Sequence, residues 1–190
     1  MAQAELFAYS QPLPEGFSYA PDFLTSVGER GLLEQIRTLE FHAARYKEWL
    51  ARRRIVSFGA SYDFSHNRLN PAPPIPGFLH ALRSEAAAWA GIADARFQYA
   101  IIAEYSPGTP LGWHRDRPEF GEVIGVSLLG HARMRFRPWP LRPNERSRCA
   151  IELEPRSAYL MRGAARWRWQ HAVSPTRELR YSITFRTGAY

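Results

Sequence analysis

His114-Arg115-Asp116 sets an imidazole and a carboxylate two residues apart. On a β-strand, residues i and i+2 share a face, about 7 Å apart at Cα. Two such groups can converge on one metal ion. A third ligand must come from another strand, and His171 is the best candidate. Two histidines and a carboxylate on one side of an ion form a facial triad that leaves three positions open, enough for iron(II) to hold both a cosubstrate and oxygen. His131 competes for the third place, but it follows Gly130 at a strand end and reads as a solvated turn residue. His42, His66 and His80 have no partner pattern and read as structural or exposed.

A second constellation follows nine residues after His171. In Arg180-Tyr-Ser-Ile-Thr-Phe-Arg186, the even separation of the arginines places both on one face of a strand, and Tyr181, Ile183 and Phe185 fill the core face. A straight strand sets the two Cα atoms about 20 Å apart. Extended side chains would leave a gap suited to a short dicarboxylate, which guanidinium groups bind bidentately.

The elements that must position these groups can be read from the pattern. The chain begins as loop or extended structure through Pro14-Glu15-Gly16 and Pro21. Leu32, Leu33, Ile36, Leu39 and Ala43 recur at helical spacing, and a second helix is expected over Phe78 to Trp89 after the connector bearing Pro71, Pro73, Pro74 and Pro76. Short strands are expected at Ile55–Phe58, Phe97–Tyr105, Glu122–Leu129, Ala132–Arg137, Cys149–Glu154, Ala158–Met161, Arg166–His171 and Arg180–Arg186. The predicted fold class is α+β, mainly β: helices packed on one sheet of a β-sandwich or jelly roll.

Length and composition bound the rest. At 190 residues, one domain is expected. Cys149 is the sole cysteine, which excludes an intramolecular disulfide and a thiolate cluster and points to a reducing cytoplasm. Met1 to Ser10 lack the pattern of a signal peptide, and no stretch approaches 18 apolar residues, so no membrane span is expected. The net charge is +7, carried almost wholly by arginine, and it attracts phosphate backbones. Arg52, Arg53 and Arg54 could grip such a backbone. The Arg133, Arg135, Arg137 stripe is expected to pair with Glu152 and Glu154. Trp167 and Trp169 would share a strand face with His171, where they could stack a base, and Trp113 is expected in the core.

Taken together, Tyr105-Ser-Pro-Gly, His114-x-Asp116, His171 and Arg180-x5-Arg186 resemble, in order and spacing, the AlkB family of iron(II)/2-oxoglutarate dioxygenases. The likeness runs back through Gly59-Ala-Ser-Tyr62 and Ile75-Pro76, covering Ile55 to Thr187. The resemblance implies a double-stranded β-helix over residues 97–190, a lid-like region with a helix over 55–96, and an N-terminal extension over 1–54. It implies Fe(II) on His114, Asp116 and His171. It implies 2-oxoglutarate on Tyr105, Arg180, Ser182 and Arg186. Family members use O2 to turn 2-oxoglutarate into succinate and CO2 while hydroxylating an N-methyl group, which leaves as formaldehyde. Ser182 stands where repair enzymes often have Asn, and Ala103 replaces another Asn. Ala60 replaces a lid aromatic, and Pro118 takes an acidic position that Glu119 could fill. Tyr62, Glu119, Trp169 and Arg53 are the expected substrate-side residues. The expected activity is demethylation of alkylated nucleic-acid bases by a cytoplasmic monomer. The alternatives are the same chemistry on a protein or small molecule, or a silent binding module.

Overall fold

The computed structural model describes residues 12–46, 49–141 and 148–189. The segment Met1 to Ser10 and Lys47 lie outside the described residues.

Of the eight strands between Phe97 and Gly188, four lie in one large sheet and four in a smaller one. β6 (Phe97–Tyr105), β8 (Phe120–Leu129), β11 (Ala158–Met161) and β13 (Arg180–Gly188) belong to the large sheet. β7 (Leu111–His114), β9 (Ala132–Pro138), β10 (Cys149–Leu153) and β12 (Trp169–Val173) form the small one, in the order β10-β9-β12-β7. The chain thus crosses repeatedly between two antiparallel sheets, which is the double-stranded β-helix expected. Three earlier strands, β1 (Phe17–Ala20), β2 (His42–Tyr46) and β3 (Trp49–Phe58), widen the large sheet to seven, in the order β1-β11-β8-β13-β6-β3-β2. A separate hairpin pairs β4 (Ala60–Asp63) with β5 (Arg68–Pro71).

Two helices cover the outer face of the large sheet. α1 (Ser26–Ile36) starts at Thr25, whose hydroxyl accepts a hydrogen bond from Gly28 N at 3.0 Å, and buries Leu32, Leu33 and Ile36. α2 (His80–Ala90) follows a short 3-10 turn (Gly77–Leu79) and stops at Gly91, whose φ of 65° ends it in the left-handed region. Their apolar faces meet Phe97, Ile102, Ile124, Leu128, Ile183 and Phe185 in one core. A second core, including Val123, Met134, Phe136 and Tyr159, lies between the sheets. Alternation along β9 puts Met134 and Phe136 inside and the exposed Arg133 and Arg135 outside.

Four readings of the sequence need correction. The first helix stops at Ile36, because Thr38 and Leu39 turn back onto the Gln35 and Ile36 carbonyls. Leu39 reaches the core from that turn, and Ala43 belongs to β2. The apparent helical spacing joins a helix and its following turn, which face one core, to an exposed Ala43 on a strand. The start of the chain contains β1, which pairs with β11 through Phe17 and Met161. Arg166 and Trp167 belong to a short helix, α3 (Gly163–Trp167), so Trp167 does not share a strand face with His171. Trp113 is half-buried on the outside of the small sheet, with Arg135 and Arg137 against its ring.

Candidate metal centre and its surroundings

β12 pairs with β7 so that His171 lies opposite His114. The two imidazole centroids are 4.2 Å apart. β7 ends at His114, so Asp116 is not its strand neighbour but sits on the loop that follows. That loop is pinned from beneath by Arg166, which is buried and donates to the carbonyls of Arg117, Phe120 and Gly121. Nothing in the local pattern marked Arg166; a buried guanidinium bonded to three main-chain oxygens is visible only after folding. The result is that His114, Asp116 and His171 each offer a ligand atom, all within 4.8 Å of one another.

The protonation states suit a cation. Burial, reinforced by His114, pulls His171 down to about 3. Burial likewise lowers His114, against the opposing pull of Asp116. Both rings are therefore neutral and able to coordinate. Burial would raise the Asp116 carboxyl, but Arg186 foremost, then the two imidazoles, hold it well below the usual carboxylate range. Arg186 Nη2 lies 3.3 Å from Asp116 Oδ1, and Asp116 Oδ2 is buried with no hydrogen-bond partner. His114 Nδ1 is 2.9 Å from Gly112 O. With Nδ1 as donor, Nε2 is left to face an ion. An unpartnered buried carboxylate oxygen beside two neutral imidazoles fits a divalent metal.

A cavity of about 1300 Å³ opens over this triad. At its far end, β13 lies between β6 and β8, with Arg180 opposite Tyr105 and Leu129. Arg180 is buried; its Nε donates to Ser127 Oγ at 2.9 Å, and its Nη1 has no partner. Ser182, Thr184 and Arg186 line the same cavity, while Tyr181, Ile183 and Phe185 face the helices, as the alternation required. Arg53 Nη1 lies 3.5 Å from the Tyr105 hydroxyl. Burial would raise that hydroxyl, but Arg53 and Arg180 outweigh it and hold the phenol below its ordinary value. An orphaned guanidinium nitrogen on Arg180, beside two further polar groups, fits a carboxylate.

Tyr159, which the sequence did not single out, also lines the cavity. Burial pushes its hydroxyl up to about 12, so it is a neutral donor at physiological pH. Gly125 stands opposite it in register, and a Cβ there would lie 2.2 Å from the Tyr159 ring. A side chain at 125 and a phenol at 159 exclude one another.

At the mouth, Tyr62 projects from the β4–β5 hairpin. Arg117 donates to its hydroxyl and stacks over its ring at 4.1 Å. Phe64 meets Tyr62 edge-on at 4.9 Å. Gly59 enters the hairpin at φ 79°, where a Cβ would strike Gln98 O at 2.1 Å. Of the four expected substrate-side residues, Tyr62 and Arg53 line the cavity. Arg53 sits at the Tyr105 end, away from the hairpin. Glu119 turns toward Arg117, 3.7 Å away, and Trp169 packs against the core between the sheets. His131 pairs with Glu154 on the surface at 2.7 Å, well apart from the triad.

The model of the 2OG-Fe(II) oxygenase superfamily matches residues 17–186. The chain belongs to that superfamily. It is an AlkB-like member, a dioxygenase whose cofactor is Fe(II) and whose cosubstrates are 2-oxoglutarate and O2. It is 30% identical to uncharacterized protein L905 of Acanthamoeba polyphaga mimivirus, over 90% of this chain and 84% of that one. It is 27% identical to the Xenopus tropicalis protein named tRNA (carboxymethyluridine(34)-5-O)-methyltransferase alkbh8, over 87% of this chain. It is also 27% identical to the Alkylated DNA repair protein ALKBH8 homolog of Arabidopsis thaliana. The AlkB-like chain spans only 26% of the frog protein and 50% of the plant one. The solved structure of OsALKBH1 superposes with a TM-score of 0.72 over 93% of this chain at 16% identity, a likeness of fold. No helix among the described residues is long and apolar enough to cross a membrane.

Proposed function

We propose that this dioxygenase oxidatively removes N-alkyl groups from nucleic-acid bases, with His114, Asp116 and His171 holding the iron and Arg180 the distal carboxylate of 2-oxoglutarate. The observation that carries the site assignment is that Asp116 Oδ2 and Arg180 Nη1, both on residues lining one cavity, are buried without a hydrogen-bond partner. The nucleic-acid half of the reading draws on the net charge of +7 and on the names of the frog and plant relatives. The same reading takes the chain as one oxygenase domain working as a cytoplasmic monomer.

Iron and 2-oxoglutarate, when bound, supply the oxygen activation. The protein's own groups bind and orient. His114 is fixed by its bond to Gly112 O, and Arg186 holds Asp116 through Oδ1, leaving Oδ2 as the oxygen that would bind an ion. Ser127 holds Arg180 by Nε and leaves Nη1 for a carboxylate, with Tyr105 beside it. Ser182 and the neutral Tyr159 hydroxyl line the stretch between, as further hydrogen-bond groups. Tyr62 and Arg117 close the mouth against water and meet the substrate first.

The test is formaldehyde release from oligonucleotides carrying 1-methyladenine or 3-methylcytosine, dependent on iron, 2-oxoglutarate and oxygen. Absence of formaldehyde across DNA, RNA and tRNA panels overturns the nucleic-acid reading. Succinate release without a primary substrate tests the engine separately. A protein or small-molecule substrate is the second reading. It is favoured by the mouth, where Ala60 stands at the lid position and Glu119 is turned toward Arg117.

A further inference from the structure

Among the described residues, the arginines near the surface differ in their partners. Arg54, Arg83, Arg96 and Arg156 each lie against a carboxylate, from Glu104, Asp94, Glu122 and Glu29, at 2.7, 2.7, 3.0 and 3.5 Å. The outer face of the small sheet is different. Along β9, Arg133 meets Glu152 at 3.5 Å, but Glu154 is taken by His131. Arg135 and Arg137 flank the Trp113 ring instead, at 5.2 and 4.5 Å, and Arg115 stands over Trp139 at 5.4 Å. Among the described residues, none of Arg115, Arg135 and Arg137 has an ion pair; Arg137 donates to the neutral Gln170 amide and Arg115 to Trp167 O. Trp139 is 40% exposed and Trp167 43%.

These groups share one surface for a reason of register. Arg135 and Arg137 lie opposite Ala172 and Gln170 on β12, on either side of His171, which faces the cavity. Trp113 precedes His114 on β7 and so takes the outer face while His114 takes the inner one. The surface also runs into the site: Trp113, Arg115, Trp139 and Gln170 reach the rim of the cavity that holds the triad. By contrast, the Arg52–Arg54 run offers little for a phosphate backbone, since Arg54 is neutralised by Glu104 and Arg53 is turned in toward Tyr105.

We propose that the outer face of the small sheet, centred on Arg135, Trp113, Arg137 and Trp139, binds the single-stranded polynucleotide that flanks the base in the cavity. The inference rests on the nucleic-acid reading above and adds where the strand lies. A guanidinium stacked on an indole keeps its N–H edge free for phosphate oxygens. Exposed tryptophans offer planes for unstacked bases, which a single strand presents and a duplex does not. Cations without carboxylate partners are matched by the anionic chain that would cross them.

The experiment measures binding of a labelled, unmethylated single-stranded oligonucleotide by anisotropy across a salt series, for the unaltered protein and for Arg135→Gln/Arg137→Gln. Both positions lie outside the metal and cosubstrate groups. The double variant is expected to bind about tenfold more weakly. Its plot of log affinity against log salt should be shallower by about 1.4, for two lost phosphate contacts. Its substrate-independent succinate release should match the unaltered protein, which reports an intact fold. A methylated trinucleotide, which occupies the cavity alone, should still yield formaldehyde at the same rate. Equal affinity and slope in the double variant overturn the proposal, as does equal displacement by a duplex or by polyglutamate. If the unaltered protein binds no single strand the proposal also falls. The trinucleotide assay then decides separately whether the nucleic-acid reading falls with it.

Discussion

At the floor of the cavity, Arg180 and Ser182 stand on β13, a central strand paired on both sides, with Ser127 of the neighbouring β8 bonded to Arg180. At the mouth, Tyr62 and Arg117 come from a two-stranded hairpin and a loop, and meet each other by a hydrogen bond and a stacked ring. A side chain on a central strand inherits the position of the whole sheet, so its placement is over-determined. A side chain on a hairpin inherits only local turns. The floor is therefore where a fixed place for a ketoacid carboxylate can be kept, and the mouth is where substrate choice can change without disturbing it.

Substitutions at the two ends should separate accordingly. The largest effect is expected at the triad: His114→Ala or His171→Ala should weaken Mn(II) binding, as a redox-inert probe read by calorimetry, by more than about a hundredfold. Retained affinity in either variant would remove the metal assignment. Next, Arg180→Ala removes a charge-assisted hydrogen bond of about 1.5–3 kcal/mol. The dissociation constant for 2-oxoglutarate should rise roughly ten- to a hundredfold, and an unchanged constant would show that the carboxylate sits elsewhere. Gly125→Val drives a side chain into the Tyr159 ring and should cost about 1–3 kcal/mol in urea unfolding. Adding Tyr159→Ala to that variant should recover part of the loss; no recovery would locate the strain outside this contact. A smaller change is expected with pH. His171 is held at about 3, below the value of a free histidine. The stability that depends on its neutrality is thus complete above about pH 6.5 and is lost as pH falls toward 3. The metal-free protein should show a falling urea midpoint below pH 6.5, and His171→Asn should show a shallower fall. At the mouth, Arg117→Gln should alter which primary substrates are turned over, yet leave substrate-independent succinate release within about twofold. A large loss of that background reaction would mean that the mouth and the floor are not independent.

The strands of the catalytic half could be read closely from alternation, because a strand with one face on a core repeats its apolar residues every second position. Phe97–Tyr105 and Ala158–Met161 are found with the expected bounds, and Arg180 to Arg186 presents the expected two faces. The strands β1, β2 and β7 and the β4–β5 hairpin were not legible in the same way, being short and flanked by turns. The i, i+2 argument for His114 and Asp116 brought together residues that do converge in the fold, but for an incomplete reason. β7 stops at His114, and Asp116 reaches its place through a loop tied down by Arg166. Trp167 was misplaced because a five-residue helix leaves no periodic trace.

Where the strand bounds were legible, as in Arg180 to Arg186, the sequence alone settled which side chains share a face, since that depends only on a two-residue repeat along the chain. It also supplied, by type and order, His114, Asp116, His171, Arg180 and Arg186, all of which line the cavity. Which cations meet a carboxylate was left to the folded chain: Arg54 found Glu104, Arg53 found Tyr105, and Arg135 and Arg137 found Trp113. Those partners lie on different strands, and only sheet register and loop path bring them together.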